Sequence, residues 1–176
     1  MTSLIMGHWQ KMSAISNVPD VWLPWLSNTG SMTRLLEAAS HAQCQVSVLR
    51  EDWQEPWQDE GDELKLTSAC CWVREVVLTT HKPVIFARSV FPRALIERFP
   101  QLTQLGSQPL GKTIFADNTF KRGDIEIAEI NKEHLLWQQI PVALQKEKLW
   151  ARRSVFHSQF GSFLLSEVFF SYVATL

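Results

Sequence analysis

The sequence predicts an α+β domain, a six-stranded antiparallel sheet with helices packed on one side. Two pairs of β-rich runs, 70–80 with 83–91 and 148–157 with 162–173, are separated by corners short enough to be hairpins. Helical patterns are inserted between strand runs without the strand-helix-strand alternation that builds a parallel sheet. The composition fits one globular domain spanning 1–176: 176 residues, 45% hydrophobic and 20% charged, with only 7 Gly and 8 Pro.

Taken in order, residues 1–18 lack a period and read as an irregular lead-in. Asp20 to Leu26 suggests a short apolar helix broken or kinked at Pro24. Asn28-Thr29-Gly30 is a turn, and Ser31 caps a helix from Met32 to about His41 with Leu35, Leu36 and Ala39 facing inward. Cys44 to Trp53 alternates as a first strand, and the acidic segment 54–66 reads as a surface excursion. After the 70–80/83–91 hairpin, Pro92 closes the second strand, Arg93 to Phe99 forms a short amphipathic helix, and Pro109 sits at the first position of another. Phe120 to Ile130 alternates as a strand, Asn131 caps a helix Lys132 to Gln138, and the last hairpin turns at Gln159-Phe160-Gly161.

A formal net charge of -1 gives no global attraction to nucleic acid or to an anionic membrane. No window approaches the ~18 consecutive apolar residues of a membrane span, and the N-terminus lacks the basic and apolar regions of a signal peptide, so a cytoplasmic protein is expected. Cys44, Cys70 and Cys71 are odd in number and not at metal-ligand spacing, and read as reduced core residues. His41, His81, His134 and His157 show no ligand spacing, so no metal is assigned. There is no nucleophile elbow, phosphate-cradling glycine loop or redox motif, which removes support for covalent hydrolysis, nucleotide chemistry and hydride transfer.

Two polar residues are out of place. In Phe163 to Phe170, alternation puts Glu167 on one face with Phe163, Leu165 and Phe169. A carboxylate there is protonated, paired with a cation, or positioned for a ligand hydroxyl. Arg74 shares a face with Cys70, Trp72, Val76 and Leu78, and wants an anion: Glu167, a neighbour of Glu75 on an adjoining strand, or a ligand carboxylate that its planar fork suits. The helix starts at Ser31-Met32 and Pro109-Leu110-Gly111 offer backbone N–H groups to an anion. Arg88, Arg152 and Arg153 are read as solvated or laterally ion-paired strand residues.

Taken together, Gly30-Ser31-Met32-Thr33, Trp72-Val73-Arg74-Glu75-Val76, Ala87 to Pro92, Pro109-Leu110-Gly111, Trp150 to Ser154 and Leu164 to Phe169 resemble, in order and spacing, the blocks of the chorismate lyase family. The resemblance runs from about Ser31 to Phe170, leaving residues 1–30 and the 54–66 segment outside it. It implies helical flaps over a buried ligand site, elimination of pyruvate from chorismate to give 4-hydroxybenzoate on the way to ubiquinone, and no cofactor. It further implies that Arg74 holds the ring carboxylate, aided by main-chain groups at Met32 and Leu110, while Glu167 meets the 4-hydroxyl. Arg88 or Arg152 is then the expected second cation, for the enolpyruvyl carboxylate.

The expected partners are therefore chorismate and 4-hydroxybenzoate, with no nucleic acid and no membrane span, and a monomer is the default. The alternative from another class is a non-catalytic effector-type binding domain of the same fold. No helix-turn-helix module precedes the domain in this sequence, which favours the enzyme, whereas Phe169-Phe170-Ser171-Tyr172 lacks the proline-containing tail expected of the family.

Overall fold

Among the described residues every strand pairing is antiparallel. The structure, a computed structural model, describes residues 9–15, 17–66, 70–115 and 118–176. Its strands are β1 (Gln10–Lys11), β2 (Gln45–Gln54), β3 (Cys71–Thr79), β4 (Pro83–Pro92), β5 (Lys121–Arg122), β6 (Glu126–Ile130), β7 (Leu149–Ser158) and β8 (Gly161–Phe169). They form one eight-stranded sheet in the order β1-β6-β7-β8-β4-β3-β2, with β5 paired to β7 off that path. Eight strands replace the expected six for two reasons. The lead-in contributes β1 on β6, and the run 120–130 is interrupted into β5 and β6. Gly123 makes that interruption: its N–H donates to the Val155 carbonyl at 2.8 Å, and a Cβ there would lie 3.0 Å from that oxygen and 2.9 Å from His157 Nε2.

Sequence periodicity places most of the other elements within a residue or two. The helices are α1 (Leu23–Leu26), α2 (Met32–Ser40), α3 (Gln58–Glu63), α4 (Arg93–Arg98), α5 (Leu110–Ile114) and α6 (Leu135–Gln138). The Ser31 hydroxyl accepts from the Arg34 N–H, and His41 ends α2 in the left-handed region at φ 53°. Pro24 lies inside the first turn of α1, where its missing N–H costs nothing. In the last hairpin Gly161 takes φ 133°, a conformation closed to most other residues, and opens β8 after a two-residue turn.

The helices cover both faces of the sheet, not one. On the first face α1, α2, α4 and α5 bury Leu26, Leu36, Leu95 and Ile114 against Val76, Ile85, Phe91, Phe163 and Phe169. On the second face α6 packs Leu136 against Phe86, Ala151 and Val168. There too lies the 54–66 segment, which the sequence alone makes a surface excursion. It carries α3, which brings Glu60 to Arg88 with only 3% of the residue exposed.

Arg88 donates to both Glu60 oxygens, at 2.7 and 3.0 Å, and to Glu75 Oε1 at 2.7 Å, with its guanidinium 3.8 Å from the Trp57 ring centre. Burial opposes its charge, but the bonds and field of Glu60 and Glu75 outweigh it and hold the guanidinium above its ordinary value. Arg153 bonds Glu126 at 2.7 Å and reaches Asp59 and Glu63 at 3.3 Å each. Of the two expected roles, solvated or laterally ion-paired, both arginines take the second, each bonded to the carboxylate directly across the strand, Glu75 or Glu126, and α3 then caps both. Cys70 departs from its expected place, being exposed, whereas Cys44 and Cys71 are buried and their thiols pushed up to about 11, chiefly by burial.

Breaking this clamp leaves a buried guanidinium short of its anion. Glu60→Ala is expected to lower unfolding stability by about 3 kcal/mol or more in urea titrations. A loss below about 1 kcal/mol would show that α3 is not held through Arg88.

Candidate functional site

The β-sheet register brings the two out-of-place residues to one face. Arg74 stands opposite Ser89, Ala87 opposite Glu167, and Glu167 opposite Arg152, so the sequence Arg74, Ser89, Ala87, Glu167, Arg152 crosses four neighbouring strands on the first face. Ser89 and Ala87 are small, which leaves room above the sheet between the two ends. Met32 and Thr33 at the start of α2, and Leu110, Gly111 and Ile114 of α5, close that room from above. The resulting cavity holds about 520 Å³ of atom-free space, counting its mouth, and Arg74, Arg122 and Glu167 line it.

The two helix starts lie side by side over it. A Cβ added at Gly111 would sit 3.3 Å from the Ser31 hydroxyl and 3.7 Å from the Phe115 ring, so a glycine is what lets α5 approach the cap of α2 this closely. The first N–H groups of each helix have no intrahelical carbonyl to bond.

Arg74 is 2% exposed. Its Nε donates to Glu51 at 2.8 Å, and its Nη2 to the carbonyls of Gly106 and Gln108 at 2.7 and 3.1 Å. The two carbonyls belong to the loop that delivers α5, so the arginine also places Leu110. Burial holds this guanidinium below its ordinary value, with the Glu51 bond partly offsetting. Its partner on the protein is therefore neither Glu167 nor a carboxylate whose place in the alternation is visible. Glu51 reaches the cavity face because β2 shifts register between Val48 and Arg50. That irregularity turns Glu51 to the side already occupied by Val46 and Val48.

Glu167 is 4% exposed and accepts from Arg152 Nε at 2.6 Å. Arg152 is fully buried and spends Nη1 on main-chain oxygens, those of Trp25 at 3.0 Å and Asn28 at 2.6 Å. It thus ties the sheet to the end of α1 and to the turn before α2. The Glu167 oxygen Oε1 receives no hydrogen bond among the described residues, and this carboxylate faces the cavity as a charged acceptor with one side occupied.

Of the other arginines, the sheet puts Arg88 and Arg153 on the second face, which removes Arg88 from consideration as the second cation. Arg152 is on the correct face, but its charge is paired with Glu167 through Nε and its Nη1 is held by backbone, only Nη2 being left buried without an acceptor among the described residues. Arg122, which sequence reasoning passed over, lines the cavity from β5. Its only sequence signal is position: two residues into an alternating run, immediately before the glycine that breaks it. Among the described residues no cluster of three or more His, Cys, Asp or Glu side chains could hold a metal ion, and no helix is long and apolar enough to cross a membrane.

Comparison with known proteins places the chain in a family. The family model described as chorismate lyase matches residues 4–175. A Pseudomonas aeruginosa protein named "Probable chorismate pyruvate-lyase" is 37% identical over 164 residues, 92% of this chain and 89% of its own. A protein of the same name from Pseudoalteromonas translucida is 35% identical, covering 94% and 92%. Among solved structures, the effector domain of PhnF from Mycobacterium smegmatis superposes with a TM-score of 0.56 over 82% of this chain and 91% of that one, at 14% identity, a likeness of fold.

The Arg152–Glu167 pair should behave as a unit. Arg152→Met leaves Glu167 buried without its cation and is expected to cost about 3–5 kcal/mol, whereas the double variant Arg152→Met/Glu167→Leu recovers most of that loss. A coupling energy near zero in this double-mutant cycle, measured by urea denaturation, would mean that the two side chains do not depend on each other.

Proposed function

The chain belongs to the chorismate lyase family, and from that premise we propose that it eliminates pyruvate from chorismate to give 4-hydroxybenzoate, with the cavity above β3, β4 and β8 as the site. The observation that carries the reading is the separation of a guanidinium and a carboxylate, Arg74 and Glu167, to opposite sides of a small cavity floored by Ser89 and Ala87. The aromatic product has a carboxylate and a hydroxyl on opposite ends of a flat ring. Arg74 takes the ring carboxylate, joined by backbone N–H groups at Met32 and Leu110, and Glu167 takes the 4-hydroxyl. The starts of α2 and α5 act as flaps over the ring.

In the reaction the C3–O bond to the enolpyruvyl group and the C4–H bond break, a C3–C4 double bond completes the aromatic ring, and the enolpyruvate gains a proton to become pyruvate. Aromatisation supplies the driving force, and there is no net oxidation or reduction to call for a redox cofactor. The protein's part is to hold the ring in one orientation, exclude water, and place charge where the C–O bond breaks. Glu167, held by Arg152, fixes the hydroxyl-bearing carbon next to the bond that is cut. We assign the protein to the cytoplasm and to the supply of 4-hydroxybenzoate for ubiquinone, and take the whole chain as one domain acting as a monomer.

The fold shared with an effector domain keeps a second reading in view, a ligand-binding protein that does not turn its ligand over. Relatives aligned over nine-tenths of both chains favour the enzyme.

Mixing purified protein with chorismate should yield 4-hydroxybenzoate and pyruvate in equal amounts, followed by absorbance and by lactate dehydrogenase coupling. Binding of 4-hydroxybenzoate without turnover would select the effector-type reading. In the active enzyme, Arg74→Met should weaken 4-hydroxybenzoate by about 10–100-fold, the worth of hydrogen bonds to a charged group. Glu167→Gln should lower kcat by a larger factor than it raises KM, and unchanged kcat would remove Glu167 from the chemistry.

A further inference from the structure

Three arginines stand on the cavity face, and they differ in what neutralises them. Arg74 has Glu51 and Arg152 has Glu167, each within 2.8 Å. Arg122 has no carboxylate partner among the described residues. Its Nη1 donates to the Ser154 hydroxyl at 3.1 Å, its guanidinium carbon lies 4.4 Å from the centre of the Phe156 ring, and its Nε is buried with no acceptor. Burial pushes it down to about 10, the field of Glu167 opposing and that of Arg152 adding to the effect, so it remains a cation at neutral pH.

An unneutralised guanidinium over an aromatic ring is a site waiting for an anion. Its backbone is fixed for that purpose. Arg122 pairs with Phe156 across β5 and β7, and the next residue, Gly123, is packed against Val155 too closely to carry a side chain without moving the strand.

Chorismate carries two carboxylates. With the ring carboxylate on Arg74 and the C4 hydroxyl on Glu167, the enolpyruvyl arm leaves the ring at C3, one bond from C4 and at the Glu167 end of the cavity. Arg122 is the cavity-lining cation whose charge Glu167 feels without pairing to it. We propose that Arg122 receives the enolpyruvyl carboxylate of the substrate and holds the departing pyruvate, in place of the Arg88 or Arg152 that the sequence suggests.

This inference rests on the reading of Arg74 and Glu167 given above. It makes Arg122 selective by chemistry: it contacts substrate and pyruvate but not 4-hydroxybenzoate, which lacks the second carboxylate. Its charge also lies beside the ether oxygen that becomes negative as the C3–O bond breaks, so its contribution grows toward the transition state.

The test compares Arg122→Met, Arg122→Lys and Arg74→Met with the wild-type protein. For Arg122→Met, kcat/KM for chorismate should fall on the order of 100-fold and competitive inhibition by pyruvate should disappear, while the Kd for 4-hydroxybenzoate changes by less than about 3-fold. Arg122→Lys should restore part of the lost rate. The melting temperature of Arg122→Met should be no lower than that of wild type, because a partly buried charge without a carboxylate partner has been removed. Arg74→Met should instead weaken substrate and product together. Equal weakening of chorismate and 4-hydroxybenzoate by Arg122→Met, or undiminished chorismate turnover, overturns the assignment while leaving the lyase reading intact. A wild-type protein that does not consume chorismate overturns the lyase reading itself and this inference with it. If Arg122→Met does not fold, a structural role is indicated unless Arg122→Lys, folded, shows the same selective loss for chorismate and pyruvate.

Discussion

The buried ion pair between Arg152 and Glu167 is the constraint on which the site depends. Two charges out of water are tolerable only when they are well engaged, and Arg152 combines the Glu167 carboxylate, through Nε, with main-chain oxygens at Trp25 and Asn28, through Nη1, leaving only Nη2 buried without an acceptor among the described residues. The pairing therefore does more than neutralise a glutamate. It draws the end of α1 and the turn before α2 onto the middle of the sheet, which sets where Ser31 and Met32 begin the covering helix. Glu167 in turn is presented to the cavity with one oxygen held and the other without a protein donor among the described residues. The geometry that makes the glutamate a ligand group is the same geometry that docks the N-terminal elements.

Arg74 solves an equivalent problem at the other end. It shares its fork between Glu51 and the carbonyls of Gly106 and Gln108, and so fixes the loop that feeds α5. Each wall of the cavity is thus built by an arginine that is half structural, and each roof element is anchored by the wall beneath it. Removing either arginine perturbs binding and architecture together, whereas Arg122, stacked on Phe156 and bonded only to Ser154 among the described side chains, is the cation whose removal disturbs the framework least.

The two faces of the sheet divide the labour. Arg88 and Arg153, immediate neighbours in sequence or register of cavity residues, point away from the cavity into a network closed by α3. Five carboxylates, Glu60 and Glu75 on Arg88 and Asp59, Glu63 and Glu126 on Arg153, leave neither cation short of an anion, and Trp57 and Trp9 cover the two guanidinium planes. The alternation of a β-strand makes the division possible: Arg152 and Arg153 are adjacent in the chain and serve opposite surfaces.

Much of this was written in local patterns. Two-residue periodicity identified the faces of β3 and β8 and hence the anomaly of Arg74 and Glu167, the Ser31 cap and Pro109 marked where α2 and α5 begin, and tight corners predicted the hairpins. The spacing of the blocks around these residues was enough to suggest the family. What the chain did not show locally were the partners. Glu51 meets Arg74 only because a register shift in β2 breaks the alternation, Glu60 meets Arg88 only because α3 folds back over the second face, and Arg122 enters the cavity only because Gly123 lets β5 lie against β7. Periodicity and capping are properties of neighbouring residues and can be read along the chain. Which charge neutralises which depends on strand order and on irregularities of one residue, and only the packed sheet decides it.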